Sequence, residues 1–303
     1  MVTPLEYAEH YRNISVHANG QTRDKVRVEI YRIGKPDAEQ GTLWQKLKEH
    51  FALNKKKDPN YRLRLRVGAA DEEFLSADQL LRRVVNPYWG KGSPEDCQIT
   101  LEVAVLLGRT SLDRAQDYAN SHLGLDCNGF VGNYIWHVHQ GHAWNTWPEG
   151  ADEQKQPYPS ANIASIMDWA KTAGREITDI SEMRPAKMYV LAMVGTNHRV
   201  IPGGPGGPHG HIVITEPNRF MERSFVHDSL GFYDLGLAKK DAYGHPAYYA
   251  IESTGPEHQV GLRDSWYAFR PLKDTKGNEI PAVFNVLRGS KGQALKVRIA
   301  ELP

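Results

Sequence analysis

Along the first 110 residues two spacings of apolar positions take turns. "KVRVEIYRI" (25–33) and "YRLRLRVG" (61–68) alternate apolar and polar side chains with period two, as half-buried strands do. "TLWQKLKEHFAL" (42–53) and "SADQLLRRVV" (76–85) repeat at helical spacing instead, with Ser76 placed to cap the second. "QITLEVAVLLG" (98–108) is richer in apolar residues and predicts a further, more deeply buried strand. These signals predict an α/β accessory segment over residues 1–110, with no repeat and no low complexity to suggest its role.

From Thr110 onward the pattern changes. "SLDRAQDYANSHLG" (111–124) predicts a helix opened by Ser111, with Asp113 in its first turn and Gly124 at its end. A thiol-bearing segment follows, then a Trp- and Pro-containing loop (143–160) and a helix, "ASIMDWAKTAG" (164–174). Strands are predicted thereafter at 187–194, 211–215, 247–254, 265–271, 282–288 and 294–302. Helices first and strands afterwards predict an α+β domain over 111–303, with an antiparallel sheet.

Composition changes this picture mainly by exclusion. A formal net charge of +1 offers no overall field for nucleic acid or an anionic membrane. No apolar run approaches the ~20 residues that span a bilayer, so no membrane insertion is expected. The start, "MVTPLEYAEHYRN", lacks the charged head and apolar middle of a secretory signal. A cytoplasmic location, or export by a route without a leader, is the expectation. The two cysteines do not make a disulfide framework and form no C-x-x-C. Cys97 reads as a buried or strand-edge thiol, and Lys55, Lys56 and Lys57 as a solvated loop.

Cys127, in "SHLGLDCNGFVGNYIWHVH" (121–139), reads differently. Asp126 is a good N-cap, so a helix should begin at the cysteine. Phe130, Val131, Tyr134, Ile135 and Val138 would form its apolar face, and Gly129 and Gly132 would let it pack closely on a sheet. The thiol would stand over the free N–H groups of the first turn, where the helix dipole favours thiolate and the same donors can hold an oxyanion. A nucleophile of this kind needs a base and an orienting partner. His211, in "GGPGGPHGHIVIT", opens a short apolar strand and suits a rigid base better than His209 in the loop before it. Glu252, in "AYYAIEST" on the next predicted strand, could orient the ring. Asp228 and Asn218 are the alternatives.

"LDCNGFV" resembles the Asp-Cys-Ser-Gly-Phe/Leu-Val signature of the NlpC-type cysteine peptidases, a papain-like group, with Asn128 in place of serine. "GHIVI" resembles their His-Val-Gly-Ile segment and the Gly-His-Val-Ala-Ile segment of CHAP-type amidases. The likeness covers roughly residues 111–271. It implies a papain-like α+β fold with Cys127 as nucleophile at a helix start, His211 as base on a sheet strand, and Glu252 as orienter. The Tyr-x-Trp-Gly-Gly stretch that often precedes the cysteine in cell-wall members is missing.

The function expected is that of a cysteine-dependent peptidase or amidase, cleaving amide bonds through a thioester with no metal or organic cofactor. Its partner would be a peptide or a peptidoglycan-derived substrate. A phage lysin, an injected effector or an enzyme of recycled wall peptides would fit the absence of a leader. The alternatives are acyl or amine transfer by the same apparatus, and a non-catalytic binding module. The cluster His137, His139 and His142 is not expected to hold a metal, since helical positions i and i+2 point about 200° apart. "GGPGGP" lacks the ending of a phosphate loop and is read as a lid or a surface loop. Trp136, Trp144 and Trp147 are read as packing or groove residues.

Overall fold

The computed structural model describes residues 1–33, 37–67, 71–138, 166–167, 174–193, 210–221, 246–255, 259–269, 271–285 and 295–302. The chain opens with helix α1 (Pro4–Arg12) and the hairpin β1 (Ile14–Ala18) and β2 (Gln21–Val26). Helix α2 (Ala38–Lys55), the hairpin β3 (Leu63–Val67) and β4 (Asp71–Leu75), and helix α3 (Ala77–Val85) follow. Three more helices come next: α4 (Pro94–Leu106), α5 (Ala115–His122) and α6 (Cys127–Val138). The remaining elements are strands: β5 (Arg175–Ile177), β6 (Tyr189–Met193), β7 (His211–Met221), β8 (Ala247–Ser253), β9 (Leu262–Phe269), β10 (Leu272–Lys273), β11 (Glu279–Ile280), β12 (Ala282–Asn285) and β13 (Leu295–Glu301).

Six of these strands close on themselves. The antiparallel order β12, β9, β8, β7, β6, β13 returns to its start through the pairs Ala282↔Lys296 and Val283↔Leu295. Strand β5 pairs with β13 farther along, at Ile299 to Glu301. This closure overturns the papain-like α+β fold expected from the sequence. The protein is organised around a closed six-stranded antiparallel β-barrel, with helices making up 39% of the described residues. Closure leaves the six strands without a free edge, which an open sheet would have to cover.

Both faces of the barrel wall are apolar. Leu191, Val213, Tyr248, Tyr267, Phe269 and Val297 belong to one buried cluster, which fills the interior. Their strand neighbours Val190, Ala192, Ile212, Ile214, Tyr249 and Ile251 belong to a second, larger cluster outside. There α1 and α6 lie against β7 and β8. Burial on both faces erases alternation, which is why every residue of β6 and of β8 is buried.

The outer cluster draws Tyr7, Leu43, Leu80 and Ile99 from the first 110 residues into the same core as Phe130 and Ile135 of α6. The helices of this layer follow their local signals. Thr3 caps α1, Asp37 caps α2, and Ser76 closes a capping box with Gln79 at α3.

The segment read as a strand at 98–108 is instead helix α4. Ser93 accepts from Asp96 N at 3.1 Å and Pro94 occupies the first turn, a start signal that outweighs the apolar run behind it. This helix is buried almost all round, so its sequence carries no polar stripe. The expected strand at 25–33 holds only to Val26, after which the chain makes the isolated bridges Ile30↔Val260 and Tyr31↔Leu125. Ser111 makes no cap bond, and a short 3-10 turn precedes α5. The loops 143–160 and 203–208 lie outside the described residues, as does most of the helix expected at 164–174. Among the described residues no helix is long and apolar enough to cross a membrane.

Candidate active site

The path into α6 is fixed by backbone pairing before any side chain is considered. Leu125 donates its N–H to Ile30 O at 2.8 Å, and Leu125 O accepts from Arg32 N at 3.1 Å and from Ser253 Oγ at 2.9 Å. One residue later Asp126 N donates to Gly90 O at 3.0 Å. Residues 30–32 and 90, from the segment without an assigned role, therefore form the socket of the thiol loop, and Ser253 ties that socket to the barrel.

Two glycines make the socket possible. Gly90 has φ +72°, and a Cβ there would stand 2.4 Å from Arg32 O. A Cβ on Gly129, in the first turn of α6, would stand 1.9 Å from Gly90 O. Asp126 then caps the helix: its Oδ1 accepts from Gly129 N at 2.6 Å, and its Oδ2 pairs with Lys91 Nζ at 2.5 Å. Phe130 N bonds Asp126 O at 3.1 Å, so the N–H groups of Cys127 and Asn128 have no partner within the helix. Asn128 Oδ1 is buried beside them with no hydrogen-bond partner among the described residues, an acceptor open to a donor that enters.

Cys127 keeps 7% of its surface exposed and lies near enough to the ring of His211, the first residue of β7, to favour the ring's charged form. His211 Nε2 lies 2.6 Å from Glu252 Oε2, leaving Nδ1 for the sulfur. Glu252 stands near the end of β8 with its side chain wholly buried. It accepts from the hydroxyls of Tyr267, at 2.8 Å, and Ser265, and from Arg263 Nε at 3.3 Å. The three β9 donors follow from register. Glu252 pairs with Arg263, Ala250 with Ser265 and Tyr248 with Tyr267, so all six share one face of the wall.

Burial alone would pull the His211 ring below its usual range. The hydrogen bonds and charges of Cys127 and Glu252 outweigh it and push the ring up to about 9, so it carries a proton at neutral pH. A protonated imidazole between a sulfur and a carboxylate is equipped to hand a proton to a leaving group on the sulfur's side. The nearby first-turn N–H groups are placed to receive an oxygen that gains charge.

Cys127, His211 and Glu252 thus come together. Asn218 does not join them: it is exposed on β7 with φ +59°, its N–H bonded to Pro185 O. Asp228, His209, His139, His142, Trp144 and Trp147 lie outside the described residues. His137 packs its ring 5.1 Å from Tyr7 and 5.9 Å from His10, at the far end of α6 from the sulfur. Trp136 is partly exposed there. Cys97 is fully buried on α4; burial, with the charges of Asp96 and Glu95, pushes its thiol well above the usual range. Sequence reasoning missed Arg263, Ser265 and Tyr267. Their alternation in "LRDSWYAF" put them on one face, but only the β8–β9 register shows that the face is that of Glu252. It also missed Lys91, which reaches Asp126 across the chain. Comparison of the chain with protein-family models, curated proteins and solved structures returns no match.

Proposed function

We propose that this protein is a cysteine-dependent amide hydrolase, with Cys127 as nucleophile, His211 as proton carrier and Glu252 as the group that holds the ring. The observation that carries the reading is the His211 ring held 2.6 Å from the buried carboxylate of Glu252, with Cys127 near enough to favour the ring's charged form. The sulfur attacks the amide carbonyl, and the electron pair displaced from the C=O bond moves onto oxygen. The N–H groups of Cys127 and Asn128 hold that oxyanion. As the C–N bond breaks, the proton on His211 goes to the departing amine and a thioester remains. Water then attacks the thioester while His211 takes one of its protons. The sulfur leaves and the carboxylic acid is released. Glu252 stays ionised throughout and stabilises the ring when it is charged.

Peptides, and peptidoglycan stem peptides in particular, are the substrates we propose, in line with the resemblance of "LDCNGFV" to the NlpC-type signature. The enzyme would meet them as recycled wall fragments in the cytoplasm, or in another cell's wall as a phage lysin or injected effector. The test is incubation with muropeptides, followed by mass spectrometry for newly released amines. Release by the wild type and none by Cys127→Ala is expected, and release by both proteins sinks the proposal. An added amine found joined to the acyl group in place of water would make the reaction a transfer.

A further inference from the structure

The two hairpins of the first 110 residues carry a cleft that the thiol chemistry does not use. Hairpins β1–β2 and β3–β4 flank helix α4, which lies against both β1 and β3. Between them is an opening of about 420 Å³, walled by the β1–β2 turn and by β3, with Glu102 and Leu106 of α4 also lining it. The thiol socket, His211 and Glu252 contribute nothing to that lining.

The most enclosed polar group of the cleft is Glu102, 2% exposed. The backbone N–H of His17 and Nε2 of Gln98 each donate to its Oε1 at 3.0 Å, and Gln98 Nε2 also donates to Arg66 O at 2.9 Å. These two α4 side chains, one turn apart, tie β1 and β3 to the same helix. Burial still pushes the Glu102 carboxyl up to about 7, although Gln98 and the N–H groups of His17 and Arg66 draw it down. An ionised carboxylate accepts at about four positions, so Glu102 has capacity left for a donor in the cleft. A positively charged donor would return it to its charged form.

The opposite charge stands on β3. Arg64 and Arg66 alternate along the strand and both line the cleft. Arg64 is engaged, its Nε donating to Glu72 Oε2 at 2.8 Å. Arg66 is bonded through its backbone alone, and among the described residues its guanidinium has no hydrogen-bond or ion-pair partner. Burial and the Arg66 charge hold the His17 ring below its usual range, so that ring is neutral at pH 7 and leaves the guanidinium as the uncompensated charge. Leu65, between the two arginines, and the half-exposed Leu106 supply apolar surface. An anion alone would meet Glu102 and Glu72, and a cation alone would meet Arg64 and Arg66. A molecule carrying both signs is complementary to both.

We propose that this cleft binds a small zwitterion, with its ammonium on Glu102, its carboxylate on Arg66 and a short aliphatic body over Leu65 and Leu106. The site is separate from Cys127, and the proposal does not draw on the hydrolase reading.

Calorimetric titration of the whole protein with glycine, 4-aminobutanoate and 6-aminohexanoate tests it, because the three differ only in the span between their charges. Hexanoate and hexylamine, each keeping one charge, are the controls. At least one of the three is expected to bind saturably, roughly tenfold or more tighter than either control. Arg66→Gln changes an exposed side chain and should weaken that binding roughly tenfold with the circular dichroism unchanged. Glu102→Gln keeps an oxygen for His17 N and should bring the zwitterion down to the affinity of hexanoate. Should that buried variant fail to fold, Arg66→Gln decides alone. No saturable binding by any of the three, a control that binds as tightly, or an affinity untouched by Arg66→Gln overturns the proposal.

Discussion

His211 Nε2 and Glu252 Oε2 lie 2.6 Å apart, and the carboxylate that fixes the ring is the most enclosed group of the site. Their positions on β7 and β8 make them diagonal neighbours on one face of the barrel wall, with Tyr267 and Ser265 donating from the next strand. The orienting group is thus set by a rigid wall and not by a loop, which suits a ring that must keep one tautomer.

Replacing Glu252 with glutamine exchanges one acceptor for an NH₂ among four donors. Facing the ring, that NH₂ forces Nε2 to accept and moves the ring proton to the nitrogen that faces Cys127. Turned the other way, it meets the guanidinium of Arg263. Glu252→Gln should lower kcat by roughly two orders of magnitude and cost about 1–3 kcal/mol of stability. Turnover assays and urea unfolding of the same preparation check both.

The raised His211 value links stability to pH. Because the ring titrates at about 9 in the folded chain against 6.5 ordinarily, its stabilising contribution is complete below about 6.5 and is lost as pH rises through about 9. The full effect is at most on the order of 3 kcal/mol. Urea midpoints measured between pH 7 and pH 10 should fall more for the wild type than for His211→Gln. Equal slopes would show that the ring is not held in its charged form.

Gly129→Ala tests the socket. The added Cβ would stand 1.9 Å from Gly90 O, and both partners are backbone, so the loop or the helix start must shift. A cost of about 2–3 kcal/mol is expected, the upper range for overpacking. Slower alkylation of Cys127 should accompany it, because the sulfur moves with the helix. A variant that melts and reacts like the wild type contradicts the close approach.

At Asp126 two substitutions separate the cap from the ion pair. Asn keeps an oxygen for Gly129 N but releases Lys91, whereas Ala loses both. Asp126→Ala should cost about 1–2 kcal/mol and Asp126→Asn less than half of that. Thermal melts at low and high salt measure the two, and only the ion-pair part should shrink with salt.

The two thiols should differ sharply toward iodoacetamide. Cys97 is fully enclosed and its thiol is pushed up by burial, while Cys127 keeps 7% of its surface exposed and lies near a ring pushed toward its charged form. Peptide mapping of briefly labelled native protein should find adduct at Cys127 and none at Cys97. Comparable labelling of both would remove the distinction on which the proposed chemistry depends.

Much of the site was legible because its parts announce themselves locally. Asp126 before an apolar helical face specifies a capped helix with a thiol in its first turn, and that is where Cys127 stands. His211 at the head of "HIVIT" begins a strand, and Glu252 comes from the next. The misreading of residues 98–108 has an equally local cause. A helix buried on nearly every side shows no polar stripe, so its apolar run imitates a central strand unless the Ser93-Pro94 start is given more weight.

What the sequence determined by itself is the inventory of chemistry and most of the local elements, because capping, turn formation and side-chain spacing act within a few residues. The tertiary structure alone decided that the strands close through Val283 and Leu295 into a barrel, that residues 30–32 and Gly90 hold the thiol loop, and that Arg263, Ser265 and Tyr267 gather on Glu252. Those pairings join residues far apart in the chain. Their register is set by complementary burial on both faces of the wall, a property of the assembled layers that no single stretch of the chain encodes.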